Sequence, residues 1–378
     1  MNFARSLFGA LSACLPLMAA EPVAAIEDYV GRFGGQTSFY GQFTPSIIAA
    51  YDGQSTDAAI ADNSHSDSRI GFIYKRPEGS PWMPFADQFH FRFETSLGVR
   101  ESNGFNQLKT DPLIEWDQTD IRIVDAVWGF PGGSKLYVGH GPMATDGVTS
   151  SDLSGTAVVT GVSVPDMAGG VLFRQADGPL SNVAIKSAFN TFDGIRRARL
   201  RYDTRRYRGF VFAVSAGTEI LQKDNSEANI DVALRYASEN PSFRAQGAAG
   251  VSISKKNGLK TREDLIASLS ILHKPTGLNF SVSTGASSQG GNYTYYKLGY
   301  LTRIFKAGTT AFSVDYNYGT DIYARGSTSA AWGLGVVQKL EDKHLELYLG
   351  YRHYSFSDKA LPAFDTVQAM QFGMRYRF

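Results

Sequence analysis

From Arg196 to Arg208 the chain reads Arg-Arg-Ala-Arg-Leu-Arg-Tyr-Asp-Thr-Arg-Arg-Tyr-Arg, a dense run of guanidinium groups. Guanidinium forks pair with carboxylates and phosphates, so the run invites an anion-binding or nucleic-acid reading. The whole chain argues against nucleic acid, because its 37 Lys and Arg against 36 Asp and Glu leave a net charge of +1. A balance so close to neutral supplies no long-range attraction for a polyanion. Asp62, Ser64 and Ser66 are spaced as in a calcium loop, yet the closing Glu of such loops is missing. The 6 histidines contain no His-Glu-x-x-His pair, and no Gly-x-Ser-x-Gly nucleophile turn is present. His140 reads as a polar wall residue beside a long connection. The polar residues therefore suggest a charged surface that solutes meet, and no catalytic constellation.

The elements that hold these residues are strands. The chain's 39 Gly, 25 Phe and 19 Tyr favour strands and tight turns over helices. No apolar run reaches the roughly 18 residues of a spanning helix. At the N-terminus, Arg5, an apolar stretch to Ala20 and Val23-Ala24-Ala25 read as a secretory signal over residues 1–25. Its removal takes Cys14, the only cysteine, with it. Residues 26–378 then form one domain of about sixteen segments with period-two alternation. The expected strands are 39–51, 68–75, 89–100, 119–130, 135–141, 196–204, 209–218 and 228–237. They continue through 243–254, 262–273, 278–286, 294–304, 310–320, 330–340, 345–356 and 367–378. The last ends on an apolar face carrying Met370, Phe372, Met374, Tyr376 and Phe378, with Arg375 and Arg377 on the other face.

Short turns alternate with longer loops, as in a membrane barrel with short periplasmic turns and long external loops. Pro77–Gln88 is long for its turn and Asn257–Lys260 short for its loop. A chain that stops on an aromatic needs a partner for its last strand, since free termini fray; closing a barrel provides one. The fold expected is therefore all-β: a transmembrane antiparallel barrel of about 16 strands, wide enough for an aqueous channel. The main interruption is 142–195, whose Gly139–Pro165 part is rich in Val, Leu and Met and poor in charge. Such a segment is too apolar for disorder and requires burial, for which a wide barrel offers its lumen.

Several stretches resemble the trimeric general porins of Gram-negative outer membranes. They are Phe39-Tyr40-Gly41-Gln42, Asp62-Asn63-Ser64 leading to Ser68-Arg69-Ile70-Gly71-Phe72, Arg201-Tyr202-Asp203-Thr204 and the closing Phe378. Met-Ala-Thr-Asp-Gly followed by Asp-Leu-Ser-Gly-Thr resembles the alphaproteobacterial branch. The resemblance implies a non-enzymatic diffusion channel for small hydrophilic solutes and ions. Its third external loop folds inward and sets acids against a basic wall. Carried over, the wall comprises Arg69, Arg122, Arg197, Arg199 and Arg201, with Arg92 added from its place on the polar face of its strand. The loop acids are Asp146, Asp152 and Asp166. The enterobacterial Pro-Glu-Phe-Gly-Gly stretch is absent, and Gln42 stands where some relatives have lysine. The resemblance also implies a homotrimer in contact with lipid and lipopolysaccharide. The assembly machinery would read Phe372, Met374, Tyr376 and Phe378. No cofactor is required, and calcium at loops is consistent with some relatives. The runner-up is a sugar- or anion-selective channel on the same scaffold, for which Tyr295, Tyr348 and Tyr354 have inward parity. An outer-membrane enzyme or anchor is the remaining alternative.

Overall fold

The computed structural model describes residues 28–31, 34–77, 86–108, 112–256 and 258–378. The expected signal sequence of residues 1–25 lies outside them, as do 78–85 of the Pro77–Gln88 turn and Asn257 of the Asn257–Lys260 loop. Sixteen antiparallel strands form a closed barrel. β1 comprises Gln36–Phe43 and Pro45–Tyr51, and β2 comprises Thr56–Asp62 and Arg69–Lys75. They are followed by β3 (Gln88–Ser96), β4 (Ile121–Gly129), β5 (Lys135–Pro142), β6 (Arg196–Asp203), β7 (Phe210–Thr218) and β8 (Ala228–Glu239). The second half is β9 (Phe243–Lys255), β10 (Arg262–His273), β11 (Leu278–Ser287), β12 (Asn292–Phe305), β13 (Gly308–Thr320), β14 (Thr328–Leu340), β15 (Leu345–Ser357) and β16 (Val367–Arg377). Among the described residues no helix is long and apolar enough to cross a membrane; the strands do so.

Which face meets lipid follows from the alternation. On β8, Ile230 is 55 % exposed while its neighbour Asp231 is 1 % exposed, and on β12 Leu298 is 59 % exposed beside Lys297 at 1 %. A soluble barrel does the opposite. In water each exposed apolar Å² costs about 25 cal/mol, a cost that hydrocarbon removes. The outer face is thus the lipid face and the polar face is the inner one.

Closure joins β16 to β1. Phe372 stands opposite Ile47, Gln371 opposite Ile48 and Arg377 opposite Gln42. The terminal residue is tied at its backbone. Gly41 N–H donates to the Phe378 carbonyl at 3.1 Å, and Phe378 N–H donates to the Gly41 carbonyl at 3.2 Å. Its ring lies 5.5 Å from that of Phe43. Gly41 is what makes room, because a Cβ there would stand 2.5 Å from the Phe378 ring.

The first two strands differ from expectation. β1 is broken at Thr44, whose amide donates to Ser68 Oγ at 2.8 Å. β2 begins at Thr56, well before the expected residue 68, and is interrupted by an excursion over residues 63–68. Its first half, Thr-Asp-Ala-Ala-Ile-Ala-Asp, has too little contrast between faces for alternation to register. The excursion is stapled by Asp62, which accepts from the Ser68 amide and, at 2.6 Å, from its hydroxyl. β3 ends at Ser96 rather than Arg100. The remaining strands fall within a few residues of the expected ranges.

Replacing Gly41 by Leu drives a side chain into the Phe378 ring and opens the seam. The expected outcome is a marked fall in heat-modifiable barrel recovered from the outer membrane, read by gel mobility. Gly250→Leu, facing the inner wall away from the seam, serves as a comparison for general damage.

Candidate functional site

Six arginines were expected to form one basic wall, and five of them share an inner-face network on β2 to β6. Period-two spacing puts Arg197, Arg199 and Arg201 on the same face of β6. Arg92 binds Asp125 through Nε at 2.8 Å and Nη2 at 2.6 Å. Arg199 reaches the same carboxylate at 2.7 Å and donates to the carbonyls of Gly139 and Pro142, each at 2.9 Å. Arg201 chelates Asp203 at 2.8 and 2.9 Å. These three guanidinium groups surround the Tyr137 ring at 5.5, 5.6 and 5.3 Å, within cation–π range. On the adjoining strands Arg122 binds Glu94 at 2.7 Å and also Asp67. Arg69 lies 3.6 Å from Glu94 and 3.7 Å from Asp67. Arg197 stands apart, with Glu219 at 2.5 Å, Glu227 at 3.1 Å and Asn229 at 2.9 Å. It ties β6 to the β7–β8 connection.

The carboxylates of this network belong to the wall itself. Sequence reasoning missed Asp67, Glu94, Asp125 and Asp203, although Glu94 has the parity of Arg92 on its own strand. Asp125 has the opposite parity to Arg122, and a register shift opposite Glu94–Thr95 lets both face inward. It also missed Arg235 of β8, which donates to the carbonyls of Ala144 and Asp146 at 2.8 and 2.7 Å. The signal available was parity, since Arg235 shares a face with the inward Asp231 and Ala233.

The segment between β5 and β6 lies along the inner face of the remaining wall. Ala144 N–H donates to Ser215 Oγ on β7 at 2.8 Å, and Leu153 N–H to Ser270 Oγ on β10 at 3.0 Å. The hydroxyls of Thr156 and Thr160 reach Ser313 on β13 at 2.7 and 2.8 Å. Tyr354 on β15 donates to the Val164 carbonyl at 2.8 Å, and Asn63 of the β2 excursion to that of Val158 at 2.6 Å. Small serines let the loop backbone come close and supply partners for its amides, which must be satisfied once buried. A glycine does the same on β15, where a Cβ at Gly350 would stand 2.4 Å from Val159 and 2.8 Å from Met167. Val158, Val159, Val164, Met167, Val171, Phe173, Ile185 and Phe189 form the loop's own apolar core, each at most 3 % exposed. Leu172–Arg174 pairs with Leu180–Ala184 as a small hairpin within it.

The three loop aspartates separate. Asp146 lies with Arg122, Arg196, Arg197 and His140 around a cavity of about 390 Å³, so it meets the basic side. Asp152 does not: it pairs with Lys297 of β12 at 2.7 Å, on the opposite wall, where Lys297 also donates to the Thr160 carbonyl at 2.6 Å. Asp166 does not either, since His65 Nδ1 lies 3.4 Å away and Ser163 Oγ donates to it at 2.8 Å. The expected single bank of loop acids is thus one acid near the arginines and two anchors elsewhere. Burial alone would raise the Asp152 carboxyl, but the Lys297 ammonium and the Ser154 donors outweigh it and hold it below the usual range. Asp193 goes the other way: burial, reinforced by the Asp146 carboxylate, raises it from 3.8 to about 6 despite amides donated by Gly147 and Thr149. Among the described residues no group of three or more His, Cys, Asp or Glu is arranged to hold a metal ion. Tyr295, Tyr348 and Tyr354 are inward but at most 3 % exposed, covered rather than lining a track.

A closed barrel with an apolar outer face, a charged inner face and this many strands is an outer-membrane channel for passive diffusion. The chain belongs to the Gram-negative porin family, whose model matches residues 10–359. Its fold is shared with an anion-selective porin from Comamonas acidovorans at 14 % identity and TM-score 0.57, over 91 % of this chain and 100 % of that one. It is shared too with OprB of Pseudomonas putida, at 10 % identity and TM-score 0.62 over 90 % and 94 % of the two chains. The channel DcaP of Acinetobacter baumannii aligns at 10 % identity and TM-score 0.57 over 93 % and 100 %. No curated protein sequence matches the chain. Family and fold are those of a channel rather than an enzyme.

Two outcomes follow from the loop's charges. Lys297→Met strands Asp152 beneath the loop, and removing one partner of a buried pair costs about 3–5 kcal/mol. Thermal unfolding should show the loss, and Lys297→Met with Asp152→Asn should recover most of it. For Asp193 the folded value lies above the unfolded one. Its charged form therefore burdens the fold above about pH 6, and the burden is relieved as pH falls toward 4. Lowering pH from 7 to 5 should raise the thermal midpoint of the protein, and by less in Asp193→Asn.

Proposed function

We propose that the channel is a general porin whose 142–195 segment narrows the lumen and leaves a passage along the arginine wall. The observation that carries this reading is the course of the segment, bonded to inner-face residues from β7 to β15. Over the same level Arg69 and Arg92 keep about a quarter of their side-chain surface open, 26 % and 25 %. A solute passing there meets guanidinium groups, the wall carboxylates and Asp146 in close succession. Charges of both signs in a narrow, low-dielectric passage act on dipoles and ions. Small hydrophilic solutes and ions are the substrate class, with Arg69, Arg92, Arg122, Arg199 and Arg201 as the basic side.

The functional unit in this reading is a homotrimer of the alphaproteobacterial type, secreted by way of residues 1–25 and assembled through its Phe378 ending. A trimer form is recorded for OmpT of Vibrio cholerae, 12 % identical. Calcium at external loops remains compatible with the proposal but is not needed for conduction. A sugar-selective channel is disfavoured by the covered Tyr295, Tyr348 and Tyr354.

Planar-bilayer recording is the test. Shortening the segment within 148–190 should raise single-channel conductance, because the bare barrel then becomes the narrowest section. Replacing Arg69, Arg92 and Arg122 by Gln should increase cation preference, most strongly at low salt and weakly at 1 M, where the screening length is about 3 Å. Unchanged conductance after shortening would discard the narrowing and leave the barrel standing.

A further inference from the structure

The turn-side rim of the barrel carries a charge pattern that conduction does not use. On the turns β2–β3, β4–β5 and β6–β7 the exposed charged residues described are Lys75, Lys135, Arg205, Arg206 and Arg208 against a single anion, Asp87. Among the described residues none of these five cations has an ion-pair partner. The contrast is visible at the β8–β9 turn, where Glu239 pairs with Lys274 at 2.7 Å and Arg244 lies 3.8 Å away. The turns are neighbours in space as well: Lys135 stands opposite Asp203 in the β5–β6 register, and a Cβ on Gly132 would lie 3.9 Å from Arg205 Cδ.

A cationic rim on a soluble surface is ordinarily just solvated. Here its level matters. The lipid-facing strands end at this rim in aromatic rings, with Phe89 and Trp128 5.5 Å apart and Phe210 and Tyr236 4.6 Å apart. Aromatic belts mark the boundary between acyl chains and headgroups. Beyond the belt comes Tyr207, 61 % exposed, with the Arg208 guanidinium 5.4 Å from its ring. Long cationic side chains just past an aromatic belt reach the headgroup phosphates while their stems stay against apolar surface. Basic clusters at that depth attract anionic lipid.

We propose that the β2–β7 sector of the turn-side rim is a binding surface for anionic phospholipid headgroups, with Arg205, Arg206 and Arg208 as its centre and Lys135 and Lys75 as its flank. The recognition is by charge and depth: two or three phosphodiesters spaced along the rim neutralise cations that have no ion-pair partner among the described residues, Arg206 donating besides only to the Gly209 carbonyl at 3.2 Å. It acts on the leaflet facing the short turns, so it sets the lipid composition around one sector of the barrel.

The experiment uses the full protein, solubilised in mixed micelles of phosphatidylglycerol and phosphatidylcholine at equal amounts, with retained lipid counted by native mass spectrometry. At least a threefold enrichment of phosphatidylglycerol is expected at low salt, falling as salt rises. Arg205→Gln with Arg206→Gln and Arg208→Gln should remove most of the enrichment, while Lys255→Gln with Lys256→Gln and Lys260→Gln, on the loop side, should leave it. Heat-modifiable mobility and conductance confirm that both variants are folded. Equal retention of the two lipids, or enrichment unaffected by the arginine variant, overturns the proposal. So does displacement of phosphatidylglycerol by inorganic phosphate or by a soluble anionic peptidoglycan fragment, since the surface would then be reading free anion or cell wall.

Discussion

Hydrocarbon offers nothing to an unpaired N–H or C=O, so a sheet that crosses a membrane must have no edges. That requirement governs this molecule from its last residue inward. The two reciprocal bonds between Gly41 and Phe378, and the register that sets Phe372 opposite Ile47, turn a long antiparallel sheet into a cylinder. Once the cylinder exists, its outer face is committed to apolar side chains. Every charged group the chain carries along its strands is then directed inward or to a rim. The concentration of arginine and carboxylate inside is therefore a consequence of closure as much as of function.

Inside, two solutions to burial coexist. On β2 to β6 the charges compensate one another across neighbouring strands, as Arg92 and Arg199 do by sharing Asp125. Such clusters find their carboxylate partners on the wall itself and take from the loop only its first carbonyls, as Arg201 does from Met143 at 3.0 Å. On β12 to β15 the wall is incomplete. Arg352 and Asp315 satisfy each other at 2.7 and 2.8 Å with both side chains fully covered, and Tyr295 adds a bond at 3.0 Å. Lys297 then remains over, and among the described residues Asp152 of the connecting segment is the carboxylate that neutralises it. The segment thus rests its length against a wall whose ammonium it neutralises and touches the arginine wall only near Pro142–Asp146.

Much of this architecture was legible from alternation alone. Strands with strong contrast, such as Phe89 to Glu94 or Ile230 to Leu234, announce both their existence and their faces. The Thr56–Asp62 half of β2 escaped because alanine looks the same on either face. Arg92 was legible from parity and the other arginines from the family resemblance; Arg122 faces inward only through the register shift opposite Glu94–Thr95, which parity cannot show. Their partners were not, because an ion pair between strands depends on register. Nothing in the order of residues says that Asp125 lies between Arg92 and Arg199. The loop aspartates were misplaced for a related reason. Acidity is visible in sequence, but a segment that travels round the wall sets each acid before a different strand. Asp152 is bound for Lys297 and Asp166 for His65, and only Asp146 arrives where the arginines are.

The Lys297–Asp152 contact spans 145 residues of chain, and it ties the order of assembly to the geometry of the finished wall. The connecting segment brings Asp152 to the Lys297 ammonium on β12 and holds β15 through Tyr354. Contacts of such long sequence separation form late and slowly. Docking the segment and closing the barrel draw on the same late strands, since its contacts reach both β12 and β15. Interior packing and exterior closure are thereby coupled through those strands. A chain stalled before closure carries both an open strand edge and an exposed apolar cluster.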